Sequence, residues 1–142
     1  MIDRARVEQH VKTILQMVDA LRRHQDRTID ELRTDIDLLS AVAHQMQIGI
    51  QSALDAGAHI LVAGGFNEFQ EYRQIPERLA AHGVIGPELG QAIGDLARFR
   101  NLLVHHYLLL RIDLVHARLL TAPAQLEALA AAVQRHLDSS NR

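Results

Sequence analysis

The sequence predicts an all-α protein, an up-and-down bundle of about four to five helices, and three observations carry that expectation. Leu, Ala, Ile and Val supply most of the apolar surface, while aromatics make up 4% of the chain and Trp is absent, a composition that suits helices better than half-buried strands. Apolar residues recur at steps of three and four in segment after segment, and no run of period two competes with them. Capping signals, Gly pairs and Pro fall between those segments. At 142 residues, 48% hydrophobic and 23% charged, the chain fits a single folded domain over residues 1–142 and excludes a disordered tail or a low-complexity array.

From Asp3 to about Arg23, Val7, Val11, Ile14, Leu15, Val18 and Leu21 mark one face of an amphipathic helix. Thr28-Ile29-Asp30-Glu31 has the capping-box pattern, so a second helix starts there. Between Leu38 and Phe66 Asp55 is the only charged residue, and small residues are spread around the helix, which predicts burial on most sides by its own chain or by a second subunit. Gly64-Gly65 ends that helix in a left-handed cap, and a loop runs to about Gln70. Pro76 opens a short helix that stops at Gly83, with His82 at its C-terminal end. Gly86-Pro87 opens the next, and a last helical region spans about Ile112 to Leu137 with Pro123 interrupting or kinking it.

The same composition excludes several chemistries. With no Cys there are no disulfides, Cys-ligated zinc, iron–sulfur clusters or thiol catalysis, and a reducing cytoplasm is a permissible home. The opening residues Met1-Ile2-Asp3-Arg4-Ala5-Arg6 lack the apolar run of a signal peptide, and no uncharged apolar stretch of about 18 residues follows. The expectation is therefore a cytoplasmic protein without membrane association. A formal charge of −2 is not that of a protein that coats nucleic acid, so any RNA contact is local. Nine histidines are present, yet none shows metal-binding spacing, and no metal or other cofactor is expected. Asp95 and Glu88 read as first-turn or solvated acids, and His106 as a solvent or subunit-edge residue.

On the helix after Pro87, Leu89, Ile93, Leu96, Arg100, Leu103 and Tyr107 share one face, so an arginine interrupts an apolar seam. Burying an unpaired guanidinium is costly, so Arg100 requires a carboxylate, a carbonyl cluster or an anionic ligand such as phosphate. An interhelical ion pair with Asp95 or Asp37 is the purely structural expectation. His105 lies five residues on, about 140° around an ideal helix, so the two flank one groove or join a composite site with a second subunit.

The run Arg100-Asn101-Leu102-Leu103-Val104-His105-His106-Tyr107 resembles the R-x-x-x-x-H-x-Y motif of the HepT-like toxins in the HEPN superfamily. Tyr72-Arg73, Leu79-Ala80-Ala81-His82-Gly83-Val84-Ile85 and Ala97-Arg98-Phe99 are similar to that family in order and spacing, so the resemblance covers nearly the whole chain. It differs at His106, where relatives carry an acidic or polar residue, and at Leu108-Leu109-Leu110-Arg111, which is more apolar and basic than the corresponding segment. The resemblance implies a HEPN-like homodimer with its motif helices at the dimer cleft and a metal-independent endoribonuclease activity, the toxin of a toxin–antitoxin pair. It implies an MntA-like nucleotidyltransferase antitoxin as partner, in a larger complex, that modifies Tyr107 with AMP. Arg100 would hold the scissile phosphate of an RNA substrate, His105 would act as general acid or base, and Asn101 would support Arg100. These roles are chemically coherent, because attack by the RNA 2′-hydroxyl needs a proton acceptor, a proton donor and a cation for the phosphorane charge. AMP on Tyr107 would place a phosphate on the face of Arg100 and compete with RNA for that cation.

A reading from a different class is a non-catalytic helical dimer that binds and regulates a nucleotidyltransferase, with Arg100 in a structural ion pair. A cofactor-binding bundle has little support in the sequence. Dimerisation is also expected from the nearly uncharged Leu38 to Phe66 helix, whose apolar surface exceeds what one flanking face of a small bundle covers.

Overall fold

A computed structural model describes residues 2–66, 69–105 and 111–140. Among the described residues there are six α-helices and no strand: α1 (Arg4–Arg22), α2 (Ile29–Thr34), α3 (Ile36–Ala63), α4 (Ile75–Ala81), α5 (Pro87–His105) and α6 (Ile112–Ser140). The all-α expectation stands, with one helix more than the upper expected number. The extra boundary is at Asp35, which closes α2 in an extended conformation and whose carboxylate accepts the Leu38 N–H at 3.1 Å to start α3. The capping box at Thr28 is present in both directions: Thr28 Oγ1 accepts from Glu31 N at 3.1 Å, and Thr28 N donates to the Glu31 carboxylate at 3.2 Å.

Helix α3 is the central element. With Asp55 its one charge after Asp37, it cannot be left in water, and α1, α2, α4, α5 and α6 all pack against it. The chain itself thus supplies much of the cover for which a second subunit was considered, while Ile36 and Val62 of α3 stay 64% and 57% exposed. Large apolar residues left exposed elsewhere include Leu102 on α5 and Leu114 on α6. Val7, Val11, Ile14, Val18 and Leu21 of α1 are buried as expected, whereas Leu15 stays 40% exposed because α1 packs only onto α3 and α6.

Polar clamps fix α1 on α6 at both ends. Arg4 reaches the Leu137 carbonyl at 3.0 Å and Asp138 at 2.6 Å, and Arg22 donates to both oxygens of Glu127 at 2.7 and 3.2 Å. Pro123 lies within α6, buried, and does not end the helix. Its missing N–H frees the carbonyl four residues back, and the Gln25 side-chain amide donates to that Leu119 carbonyl at 3.1 Å and to Leu120 at 3.3 Å.

After α3, Gly65 adopts φ +80° and Phe66 N donates back to the Leu61 carbonyl at 2.8 Å; Gly83 (φ +75°) and Val84 repeat this after α4. Phe66 then stacks on His82, ring centres 3.7 Å apart, which joins the two helix ends. Gly57 lets α4 approach α3, since a Cβ there would come within 2.8 Å of Ile75 and Leu79 side-chain atoms. Pro76 and Pro87 occupy the first turns of α4 and α5.

Replacing Gln25 with Ala leaves the Leu119 carbonyl without its protein donor. The expected cost is about 1 kcal/mol, read as a melting temperature lower by roughly 2–5 °C. An unchanged thermal transition contradicts this role for Gln25.

Candidate active site

Helix α5 runs unbroken from Pro87 to His105 and so carries Arg100, Asn101 and His105 in helical register. Ile93, Leu96 and Leu103 of the expected stripe are buried, Leu89 is partly buried, and Arg100 is half-buried among them. The structure brings Arg100 and Asn101 together: Arg100 Nη1 donates to Asn101 Oδ1 at 3.3 Å. It does not give Arg100 a carboxylate, since no ion pair to it exists among the described residues. Asp95, the expected partner, is instead held by Arg98 on the next turn and by Gln91 at 3.2 Å. The Nε of Arg100 is buried and has no hydrogen-bond partner. A buried guanidinium donor without an acceptor is an unusual state, which an anionic oxygen would resolve.

His105 is exposed in the last turn of α5. It shares its stripe with Arg98 and Leu102, at steps of four and three, and stands about 140° around the helix from Arg100. One chain therefore presents the two motif residues on separate faces. Leu102 and Arg98, together with Asp95, Phe99, Leu114 and Arg118, line a shallow cleft of about 150 Å³ between α5 and α6, in which the Arg118 guanidinium lies 5.7 Å from the Phe99 ring centre. Tyr107, expected as the modified position, and His106 lie outside the described residues, as do Leu108, Leu109 and Leu110.

Tyr72, near Arg100, and Asp55, near Tyr72, were not singled out as site residues from spacing. Tyr72, in a single 3₁₀ turn at Tyr72–Gln74, lies close enough to Asp55 and Arg100 for both to act on its phenol. Burial first, and then Asp55, push the Tyr72 phenol above its ordinary range, while the Arg100 charge pulls it down. Asp55 also accepts from Gln51 Nε2 at 2.9 Å. The signal that points to Asp55 is its isolation: a lone charge in an otherwise uncharged stretch of a buried helix needs polar company. Among the described residues, no three His, Asp or Glu side chains gather in a metal-binding group. No described helix is long and apolar enough to cross a membrane.

The family whose description reads "Ribonuclease HepT-like" matches residues 14–135. The chain belongs to the HepT-like ribonuclease family. Solved structures agree at the level of fold. A tri-AMPylated HEPN toxin of Shewanella oneidensis, solved in complex with its MNT antitoxin, superposes with a TM-score of 0.83 at 19% identity, over 95% of this chain and 99% of that one. YutE of Bacillus subtilis, described as a cytosolic protein of unknown function, gives 0.83 at 20% identity over 98% and 93%. A mutant of a toxin–antitoxin complex named MntA-HpeT gives 0.83 at 18% identity over 92% and 98%. No curated protein sequence matches the chain. For this HepT-like chain, the motif run therefore sits in the fold that the resemblance implied.

The Tyr72 environment makes a direct prediction. Asp55→Asn lowers the titration of Tyr72 and Arg100→Ala raises it further, as followed by NMR of ring-labelled tyrosine. A titration indifferent to both substitutions means that the three groups do not interact.

Proposed function

We propose that this HepT-like protein is a metal-independent endoribonuclease acting as the toxin of a toxin–antitoxin pair. The observation that carries this reading is the state of Arg100: a half-buried guanidinium on the motif helix, with no carboxylate partner and an unsatisfied buried Nε. Membership of a ribonuclease family supports the reaction class, and the toxins among the structural neighbours support the biological role.

In this reading Arg100 binds the scissile phosphate and stabilises the charge of the phosphorane, with Asn101 holding one arm of its guanidinium. His105 moves the protons. One imidazole accepts the proton of the attacking 2′-hydroxyl, the new bond from that oxygen to phosphorus forms, the bond to the 5′-oxygen breaks, and a second imidazole protonates that leaving oxygen. The products are a 2′,3′-cyclic phosphate and a free 5′-hydroxyl. Because Arg100 and His105 stand on different faces of α5, a homodimer that brings two motif helices to one cleft supplies the missing convergence. Leu102 and Leu114, which remain 43% and 38% exposed beside Arg98 and Arg118, are the apolar surface such an association would cover. The partner is an MntA-like nucleotidyltransferase, and transfer of AMP to Tyr107 silences the site by offering its phosphate to Arg100 in place of RNA.

The test is cleavage of a mixed RNA pool in EDTA by protein expressed alone, its unmodified state checked by intact mass and its dimeric state by light scattering. The expected result is cleavage that falls by roughly 10²–10⁴-fold in His105→Ala and by a similar factor in Arg100→Ala, with fold and dimer intact. No cleavage by an unmodified, folded dimer overturns the ribonuclease reading and leaves a regulatory binding partner of the nucleotidyltransferase.

A further inference from the structure

A large concave feature among the described residues lies outside the motif. Arg6 and His10 of α1, Asp55, His59 and Val62 of α3, and Tyr72 line an open cleft of about 560 Å³. That volume falls within the range of small-ligand sites. The His10 and His59 rings stand side by side, centres 5.6 Å apart and tilted by 30°. Arg6 is exposed and only loosely engaged, its nearest carboxylate being Asp3 at 3.9 Å. Burial pushes the His10 imidazole below its ordinary range, with Asp55 opposing that and His59 and Arg6 adding to it. Tyr72 is the wall this cleft shares with the motif helix: it is 46% exposed, and both Asp55 and Arg100 act on its phenol.

We propose that this cleft is an RNA subsite that takes one unstacked nucleotide next to the phosphate held by Arg100, and that it makes the enzyme selective for single-stranded RNA. The assignment rests on the ribonuclease reading. Its chemistry is that of nucleotide recognition: flat rings at His10, His59 and Tyr72 on which a base stacks, a carboxylate at Asp55 that accepts from a base amine or a ribose hydroxyl, and a guanidinium at Arg6 for the flanking phosphate. A paired base within a duplex stays in its stack and cannot enter the recess, whereas a splayed base of a single strand can. Asp55 retains capacity for this role, since a carboxylate offers about four acceptor sites and only Gln51 and Tyr72 engage it among the described residues. Among the described residues, the cleft at Asp95, Arg98, Phe99 and Arg118 also joins a ring, a carboxylate and guanidinium groups, but at about 150 Å³ it is much smaller. The one of about 220 Å³ around Phe66 and His82 has no Arg, Lys, Asp or Glu in its lining, and the one of about 300 Å³ at Glu77, Gly90 and Arg98 has no ring.

The experiment combines binding and cleavage on the full chain. Fluorescence anisotropy with a labelled single-stranded RNA hexamer uses the His105→Ala protein, so that substrate survives, and compares it with the same protein carrying His59→Ala, His59→Gln or Arg6→Ala. A blunt RNA duplex of equal length is the competitor. Expected are single-strand binding at least 10-fold tighter than duplex binding, a loss of roughly 10-fold in His59→Ala and Arg6→Ala, and shifts of the His10 and His59 ring resonances when RNA is added. With His105 restored, the same substitutions raise KM and leave kcat within about twofold, which a merely structural defect would not do. Unchanged affinity and KM in folded His59 and Arg6 variants overturn the subsite while the ribonuclease reading stands. Absence of any cleavage by wild type, with RNA binding that still depends on His59, removes the ribonuclease reading and keeps the cleft as an RNA site. No RNA binding at all overturns the proposal.

Discussion

The arrangement of this protein depends on the burial of one helix. From Leu38 to its end α3 carries a single charged side chain, and five other helices are distributed around it to remove its surface from water. That demand decides where everything else goes. Glycine at position 57 admits α4 at close range, the paired clamps at Arg4 and Arg22 hold α1 and α6 in contact, and α5 is left with one face in the core and the other free. Asp55 and His59 of α3 emerge together at the rim shared with α1 and the Tyr72 turn.

Against this frame the state of Arg100 stands out. Many arginines of the described chain meet carboxylates, among them Arg22 with Glu127, Arg27 with Glu31, Arg33 with Asp30, Arg98 with Asp95 and Arg111 with Asp113, and among those that do not, Arg100 is the one with a buried, unpartnered Nε. These surface pairs contribute little individually to stability. Their abundance nevertheless shows that acceptors are plentiful, and the residue that shares a seam with Leu96 and Leu103 is without one. A fold optimised only for stability would give this position an apolar residue or a partner, because a buried unsatisfied donor costs about 1–3 kcal/mol. The tension is resolved if the partner is a phosphate that arrives with substrate.

Much of this was legible in the sequence, and the failures have physical causes. The periodicity of α1 and α5, the Thr28 box, the Gly65 and Gly83 caps and the two first-turn prolines are local signals, and the structure contains all of them. The break at Asp35 was missed because a capping Asp between two helical patterns carries no Gly or Pro beside it. Pro123 suggested an interruption that does not occur, since a distant amide, Gln25, takes up the freed carbonyl. The motif face was readable as a stripe, but the surroundings of Arg100 were not. Tyr72 comes within the field of Arg100 from a separate element, and Asp95, one of the two partners that the sequence suggested, is taken by Arg98 one turn away. Spacing on one helix orders residues along that helix and says nothing about what the next element brings.

The central claim is that the fold keeps Arg100 open for a phosphate. The most direct measurement is NMR of the arginine Nε–H groups in the nitrogen-labelled protein, assigned with Arg100→Lys, during titration with an uncleavable 2′-O-methyl RNA. The account predicts that the Arg100 Nε–H signal shifts as RNA saturates the protein, while those of paired arginines such as Arg22 stay in place. An Arg100 signal that does not respond to bound RNA contradicts it.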